Sequence, residues 1–253
     1  GSILRLGLIM LLIRIVLAEQ NTGVIGWLQY AGLQNEQMTH LAWSIFAGIV
    51  CGIIASCLTI KPTRLAWPIV TSLVLMIVAS LLDSQSNNLT RPDQLMISQF
   101  LLGFGSAFFL APAMLAGIGG VVADPRNLVS FSVLFGMSQN IGGLLGSAIL
   151  GTFQTWREKY HSSLLADQLT TLNPLVNERL QLYTQMYKSL IGASALLNTQ
   201  AVLQLQNVSA LEANILAYND TYLLTASIAT ATLVWIFWRL LRLRVTAHLA
   251  LKK

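Results

Sequence analysis

The chain has 253 residues, of which 15 are Lys or Arg and 10 are Asp or Glu, giving a net charge of +5 with 55% hydrophobic and only 10% charged residues. Soluble domains carry about 25% charged residues, so this composition, with its mean hydropathy of +0.65, excludes a water-soluble globular domain, a disordered chain and a coiled coil. A polytopic membrane protein remains.

A helix needs about 20 apolar residues to cross the hydrocarbon core. The first candidate span, about 3–33, is the least regular. Ile3–Ala18 is apolar apart from Arg5 and Arg14, then Glu19-Gln20-Asn21-Thr22-Gly23 is polar, and Val24–Leu33 is mostly apolar again. It reads as one crossing with a polar belt at mid-depth; the alternative is a helix that stops at Ala18. The stretch has no cleavage site and continues into further spans, so it is not a cleavable signal peptide. Arg14 and Glu19 are the two ionisable residues placed deep in the membrane. A charge there costs at least a few kcal/mol, so it faces a cavity and takes a partner. The two lie five residues apart, roughly 140° round a helix, which makes a direct pair awkward. Glu19 is thus a candidate proton carrier, with Arg14, Gln20 and Asn21 lining the same cavity. The alternative leaves Glu19 in headgroups or water.

The second span, 41–60, contains Cys51 and Cys57, read as small buried hydrophobes. No CxxC or His-spaced metal pattern occurs, and no metal or cofactor is expected. The third span is 64–82 and the fourth 95–122. The fourth carries Gln99, Gly103, Gly105 and Pro112, followed by Gly117, Gly119 and Gly120. Proline breaks the backbone ladder of a membrane helix, so this span is either a fixed kink or a hinge beside a substrate path. The fifth span, 128–153, contains Gln139-Asn140-Ile141-Gly142-Gly143-Leu144-Leu145-Gly146 and ends at Gly151. Gly142/Gly146 and Ser147/Gly151 have the small-xxx-small spacing that lets helices approach closely, either as static packing or as a sliding face. Gln139 and Asn140 are amides in an apolar run and should face the bundle interior.

Residues 154–221 form a long polar segment before the last span and the basic tail, 222–253. Val176, Leu180, Tyr183, Tyr187 and Leu190 recur at helical spacing, as do Leu205, Val208, Leu211 and Ile215, with Asn173-Pro174 and Gly192 as punctuation, so two or three amphipathic helices are expected. The Lys/Arg bias sets the orientation. With the N-terminus inside, inner segments hold nine basic residues and one acid, Asp124, whereas outer segments hold five basic residues and eight acids, Asp83 and Asp220 among them. Both termini are then cytoplasmic, and the positive charge reports topology rather than nucleic-acid binding. No nucleophile elbow or phosphate loop occurs, so no enzyme is expected.

Several segments carry a family resemblance: Trp27-Leu28-Gln29, then Gln99-Phe100-Leu101-Leu102-Gly103-Phe104-Gly105, and Phe109-Leu110-Ala111-Pro112. They continue with Asp124-Pro125-Arg126-Asn127, Asn140-Ile141-Gly142-Gly143-Leu144-Leu145-Gly146 and Ala217-Tyr218-Asn219-Asp220. In this order they resemble the C-terminal half of a major facilitator, and more narrowly a fourteen-helix drug:proton antiporter of the EmrB/QacA type. The resemblance implies an all-α, six-helix half-bundle in a bacterial inner membrane, exporting hydrophobic drugs or aromatic acids against proton entry. It also implies three partners: an N-terminal half, a periplasmic adaptor of the membrane-fusion type and an outer-membrane channel. The family's coupling acids lie in the N-terminal half, so none is carried over, and the Arg14/Glu19 belt departs from the general pattern. The competing class is a six-helix scaffold whose outer segment binds a periplasmic partner.

Overall fold

The computed structural model describes residues 2–61, 65–123, 127–169, 173–188 and 194–250. Among them all regular secondary structure is helical, and six helices are long and apolar enough to cross a membrane. The turn at Asp124-Pro125-Arg126, Arg64, Leu190, Gly192 and the two terminal lysines fall outside the described residues.

The first crossing, Leu4–Tyr30, is continuous through its polar belt. It consists of α1 (Ser2–Leu17), a π-helical segment (Glu19–Ile25) and α2 (Gly26–Tyr30). At the end of the π segment the Gly26 amide reaches back to Asn21 O. The wider turn inserts residues into the helix, a geometry concentrated at functional sites.

The remaining spans are α3 (Thr39–Thr59), α4 (Ala66–Asp83), α5 (Met96–Ala123), α6 (Asn127–Gln168) and α8 (Ser194–Ala250), with the short α7 (Pro174–Tyr187) before α8. α3 lies on α5, α1 on α6, and α4 between α5 and α8; α6 and α8 pack together and α7 lies on α8.

Small residues set these approaches. α3 buries Gly48, Gly52 and Ser56, one every fourth position. A Cβ on Gly52 would stand 2.5 Å from Phe104 O, and one on Gly103 of α5 2.6 Å from Ile45 O. Two backbones in contact gain dispersion along their whole length, which substitutes in lipid for the absent hydrophobic drive. The glycines of α6 do the same against α1. A Cβ at Gly142 would meet Arg14 Cβ at 2.9 Å, and one at Gly146 would meet Ala18 Cβ at 2.7 Å. Gly143 faces the Arg14 guanidinium, Gly151 faces Thr22, and a Cβ at Gly105 would stand 3.2 Å from Ser72 O. α5 continues through Pro112, which is buried.

Three expectations are corrected. Cys51 and Cys57 are exposed, not buried; α3 buries only its small-residue side, and the cysteines lie off it. Residues 154–221 are not a loop carrying separate helices. α6 runs unbroken to Gln168 and α8 starts at Ser194, so only α7 stands apart. No Pro or Gly occurs from Thr152 to Gln168 or from Ser194 to Thr221, and a helix stops at a breaker or a cap rather than at the edge of the bilayer. Asn140 does not face the interior: it is exposed, and its amide donates to Gly136 O of its own helix at 3.1 Å.

Beyond the membrane-length part, α6 and α8 stay joined. Asp220 Oδ2 accepts from Arg157 Nε at 2.6 Å and lies 2.6 Å from His161 Nε2. The Arg157 guanidinium lies over the Tyr160 ring, 4.6 Å from its centre. Gln154 donates to Asn214 at 2.9 Å, a second link between α6 and α8.

Candidate functional site: a buried carboxyl pair

Glu19 and Asp83 are both fully buried, with no exposed surface. The sequence places one in the polar belt of the first span. The other ends α4, where the outer-segment assignment of Asp83 is corrected: the residue turns into the bundle. Four helical elements converge on the pair. The π segment supplies Glu19, α4 supplies Ser80 and Asp83, α5 supplies Ser98 and Gln99, and α8 supplies Tyr222.

The hydrogen bonds are specific. Ser80 Oγ donates to Glu19 Oε2 at 2.8 Å. Ser98 Oγ donates to Asp83 Oδ1 and also to Leu95 O at 2.9 Å. Gln99 Nε2 donates to Asp83 Oδ2 at 2.8 Å. The two carboxyls are electrostatic neighbours of one another and of the Tyr222 hydroxyl. The Glu19 and Asp83 carboxyls lie within hydrogen-bonding reach of each other when one of them carries a proton, while Gln99 Oε1 and the Tyr222 hydroxyl are buried without a hydrogen-bond partner among the described residues.

Local sequence explains the approach. A Cβ on Gly23 would stand 2.8 Å from Tyr222 Cε1 and 3.2 Å from Glu19 Cγ. Only glycine lets the Tyr222 ring lie against the π segment beside Glu19. Tyr218, one turn earlier on α8, sets its hydroxyl over Gly26. Ser80 and Asp83 are three apart on α4 and share a face, and the adjacent Ser98 and Gln99 at the start of α5 both reach Asp83.

The electrostatics follow from burial. Among the described residues no Lys, Arg or His nitrogen lies within 4.0 Å of either carboxyl; the ion pairs found are those of Asp220. Two negative charges in a dry pocket cost several kcal/mol each without a cation. A proton held by the pair removes that cost, and its departure restores it. The arrangement is chemically suited to holding and releasing a proton. No group of three or more His, Cys, Asp or Glu that could hold a metal occurs among the described residues.

Of the residues singled out from sequence, Glu19 and Gln99 meet in this cluster. Arg14 does not join it. Its Nε donates to Gln139 O of α6 at 3.4 Å, while Glu19 turns to α4. Gln20 is half-buried, with an unpartnered Nε2, and Asn21 is exposed. Gly103, Gly105, Gly142, Gly143, Gly146 and Gly151 serve helix contacts. Sequence reasoning missed Ser80, Asp83, Ser98 and Tyr222. An acid closing an apolar run, as Asp83 does, fits a loop equally well, so the sequence alone carries no signal that it turns inward.

Arg14 occupies a second place of interest. It lies ten residues into the Leu4–Tyr30 span, about 15 Å along the axis, too deep for its side chain to reach an interface. It borders a cavity of about 340 Å³ between α1, α3, α5 and α6. No family, curated protein or solved structure matches this chain.

Proposed function

We propose that this chain is a proton-coupled transport module of a multi-pass membrane protein, the C-terminal half-bundle of a major facilitator-type exporter, with Glu19 and Asp83 as its proton-carrying groups. The observation that carries the reading is the fully buried, cation-free carboxyl pair at the meeting of four helical elements. Intramembrane carboxyls facing a bundle interior serve proton relays more often than packing, because an unused one is costly. The π segment that holds Glu19 supports the same reading, since such bulges change shape at small cost.

Six apolar spans and the resemblance of the quoted segments support a half-bundle that rocks against a second half around a midplane site. The same resemblance supports export of small hydrophobic drugs or aromatic acids from a bacterial cytoplasm, with both termini inside. The α6–α7–α8 extension suits docking of a periplasmic adaptor.

The test is drug tolerance of cells carrying the intact transporter. Glu19→Gln keeps the shape and the Ser80 hydrogen bond but cannot release a proton. Loss of tolerance with normal membrane abundance is the expected result. Tolerance equal to wild type would remove the proton role from Glu19.

A further inference from the structure

The Arg14 cavity has an unusual lining. Apart from Arg14, Gln139, Ser106 and Cys57 it is aliphatic or aromatic, and it contains no acid. Ser106 already donates to Gly103 O at 2.7 Å. Arg14 carries five N–H donors in a rigid planar fork, and among the described residues one acceptor meets them, Gln139 O at a long 3.4 Å. No carboxylate lies within 4.0 Å of it among the described residues. Gly142 and Gly143 keep the α6 backbone open around its stem and guanidinium. A guanidinium at mid-membrane depth thus faces an apolar pocket with no counter-charge. The volume matches sites that hold drug-sized molecules, which combine apolar walls with a few convergent polar groups.

The geometry points to this cavity as the binding site for a lipophilic monoanion, a carboxylate or sulfonate whose charged group pairs with Arg14 while its apolar body lies against Leu17, Ile53, Leu110 and Met114. The planar fork is matched to a carboxylate in a way a lysine is not. A lipophilic cation would meet Arg14 repulsively, and a neutral molecule of the same shape would leave the guanidinium unpaired. The inference deepens the transport reading by naming a substrate class, and rests on it only for the word substrate; binding itself does not require the Glu19 pair.

The probe is a diazirine-bearing decanoate, photolabelled onto the full chain in lipid nanodiscs and mapped by mass spectrometry. Label should fall on Leu17, Ile53 or Met114, and unlabelled decanoate should compete. Decanol and decyltrimethylammonium should compete at least about tenfold less well, the factor expected for one charge-assisted hydrogen-bonded pair. Arg14→Gln should lower labelling by a similar factor and Arg14→Lys by less. Leu110→Trp, which fills the cavity and leaves the Arg14–Gln139 bond in place, should block labelling even if Arg14→Gln folds poorly. Equal competition by the alcohol or the ammonium compound would overturn the inference, as would labelling that ignores Leu110→Trp. Glu19→Gln should label like wild type, so loss of proton coupling and loss of anion binding are separately visible.

Discussion

The hydrogen bonding around Asp83 makes a sharp contrast between two substitutions. Asp83→Asn retains Oδ1 for the Ser98 hydroxyl but turns a donor toward Gln99 Nε2, where the wild type has an acceptor. Gln99 has a remedy. Its Oε1 is buried with no partner, so a half-turn of the amide presents that oxygen to the amide nitrogen of the substituted side chain. The bond count is preserved, and the cost should stay within about 1 kcal/mol. Asp83→Ala has no such remedy. The Gln99 amide is stranded in a fully buried position, at about 1–3 kcal/mol. Ser98 keeps Leu95 O and loses about 1 kcal/mol of net bonding. The total is roughly 2–4 kcal/mol, before any cavity left by the carboxyl. Thermal unfolding of the detergent-solubilised chain, followed by tryptophan fluorescence, reads the difference. Asp83→Asn should melt within about 3 °C of wild type, and Asp83→Ala about 5–15 °C lower. Equal destabilisation by both would refute the reasoning, because the carboxylate charge rather than the hydrogen-bond count would then hold the helices together.

Three further outcomes are expected. Tyr222→Phe removes a buried hydroxyl that has no partner among the described residues, so thermal stability should be unchanged or slightly higher; a loss above about 1 kcal/mol would mean that the hydroxyl is engaged. Gly146→Leu drives a side chain into Ala18 and Ile15 of α1 and should cost about 2 kcal/mol or more, whereas Gly136→Leu, where a Cβ meets nothing within 4 Å, should be tolerated; similar melting of the two variants would deny the glycine contact. Asp220→Asn weakens a part-exposed cluster with Arg157 and His161 and should cost no more than about 1 kcal/mol. A site-directed spin label on α7 should then report increased motion without loss of the membrane bundle.

The parts of the fold legible in the sequence are those written in apolar runs and small residues. Six spans follow from hydropathy, and the Gly142/Gly146 spacing marks a helix contact that forms with α1. The Gly48/Gly52 pair has the same spacing and makes the same kind of close approach, to α5. The outer segment is not legible from hydropathy because bilayer thickness sets the length of an apolar run, not the length of a helix. Helices α6 and α8 have no breaker at that depth and continue beyond it. Glu19 was visible because an acid in an apolar run is an anomaly in itself. Asp83 was not, because an acid at the end of a run fits equally well in a loop, and only the packing of α4 against α5 and α8 turns it inward. Ser98 and Tyr222 carry no sequence signal, since serine and tyrosine are ordinary at the ends of membrane helices. Arg14 was recognised as costly, but the partner it lacks is seen only when its neighbours are placed.

The proton role of Glu19 and Asp83 is tested most directly by proton movement itself. Everted membrane vesicles carrying the transporter are energised, and a pH-sensitive fluorophore reports protons leaving the vesicle when a panel of lipophilic drugs and aromatic acids is added. Wild-type vesicles should release protons on addition of at least one transported compound. Glu19→Gln and Asp83→Asn vesicles should release none, with both variants present at wild-type abundance. Proton release by Glu19→Gln at the wild-type rate, or no compound-dependent release by wild type, would contradict the account.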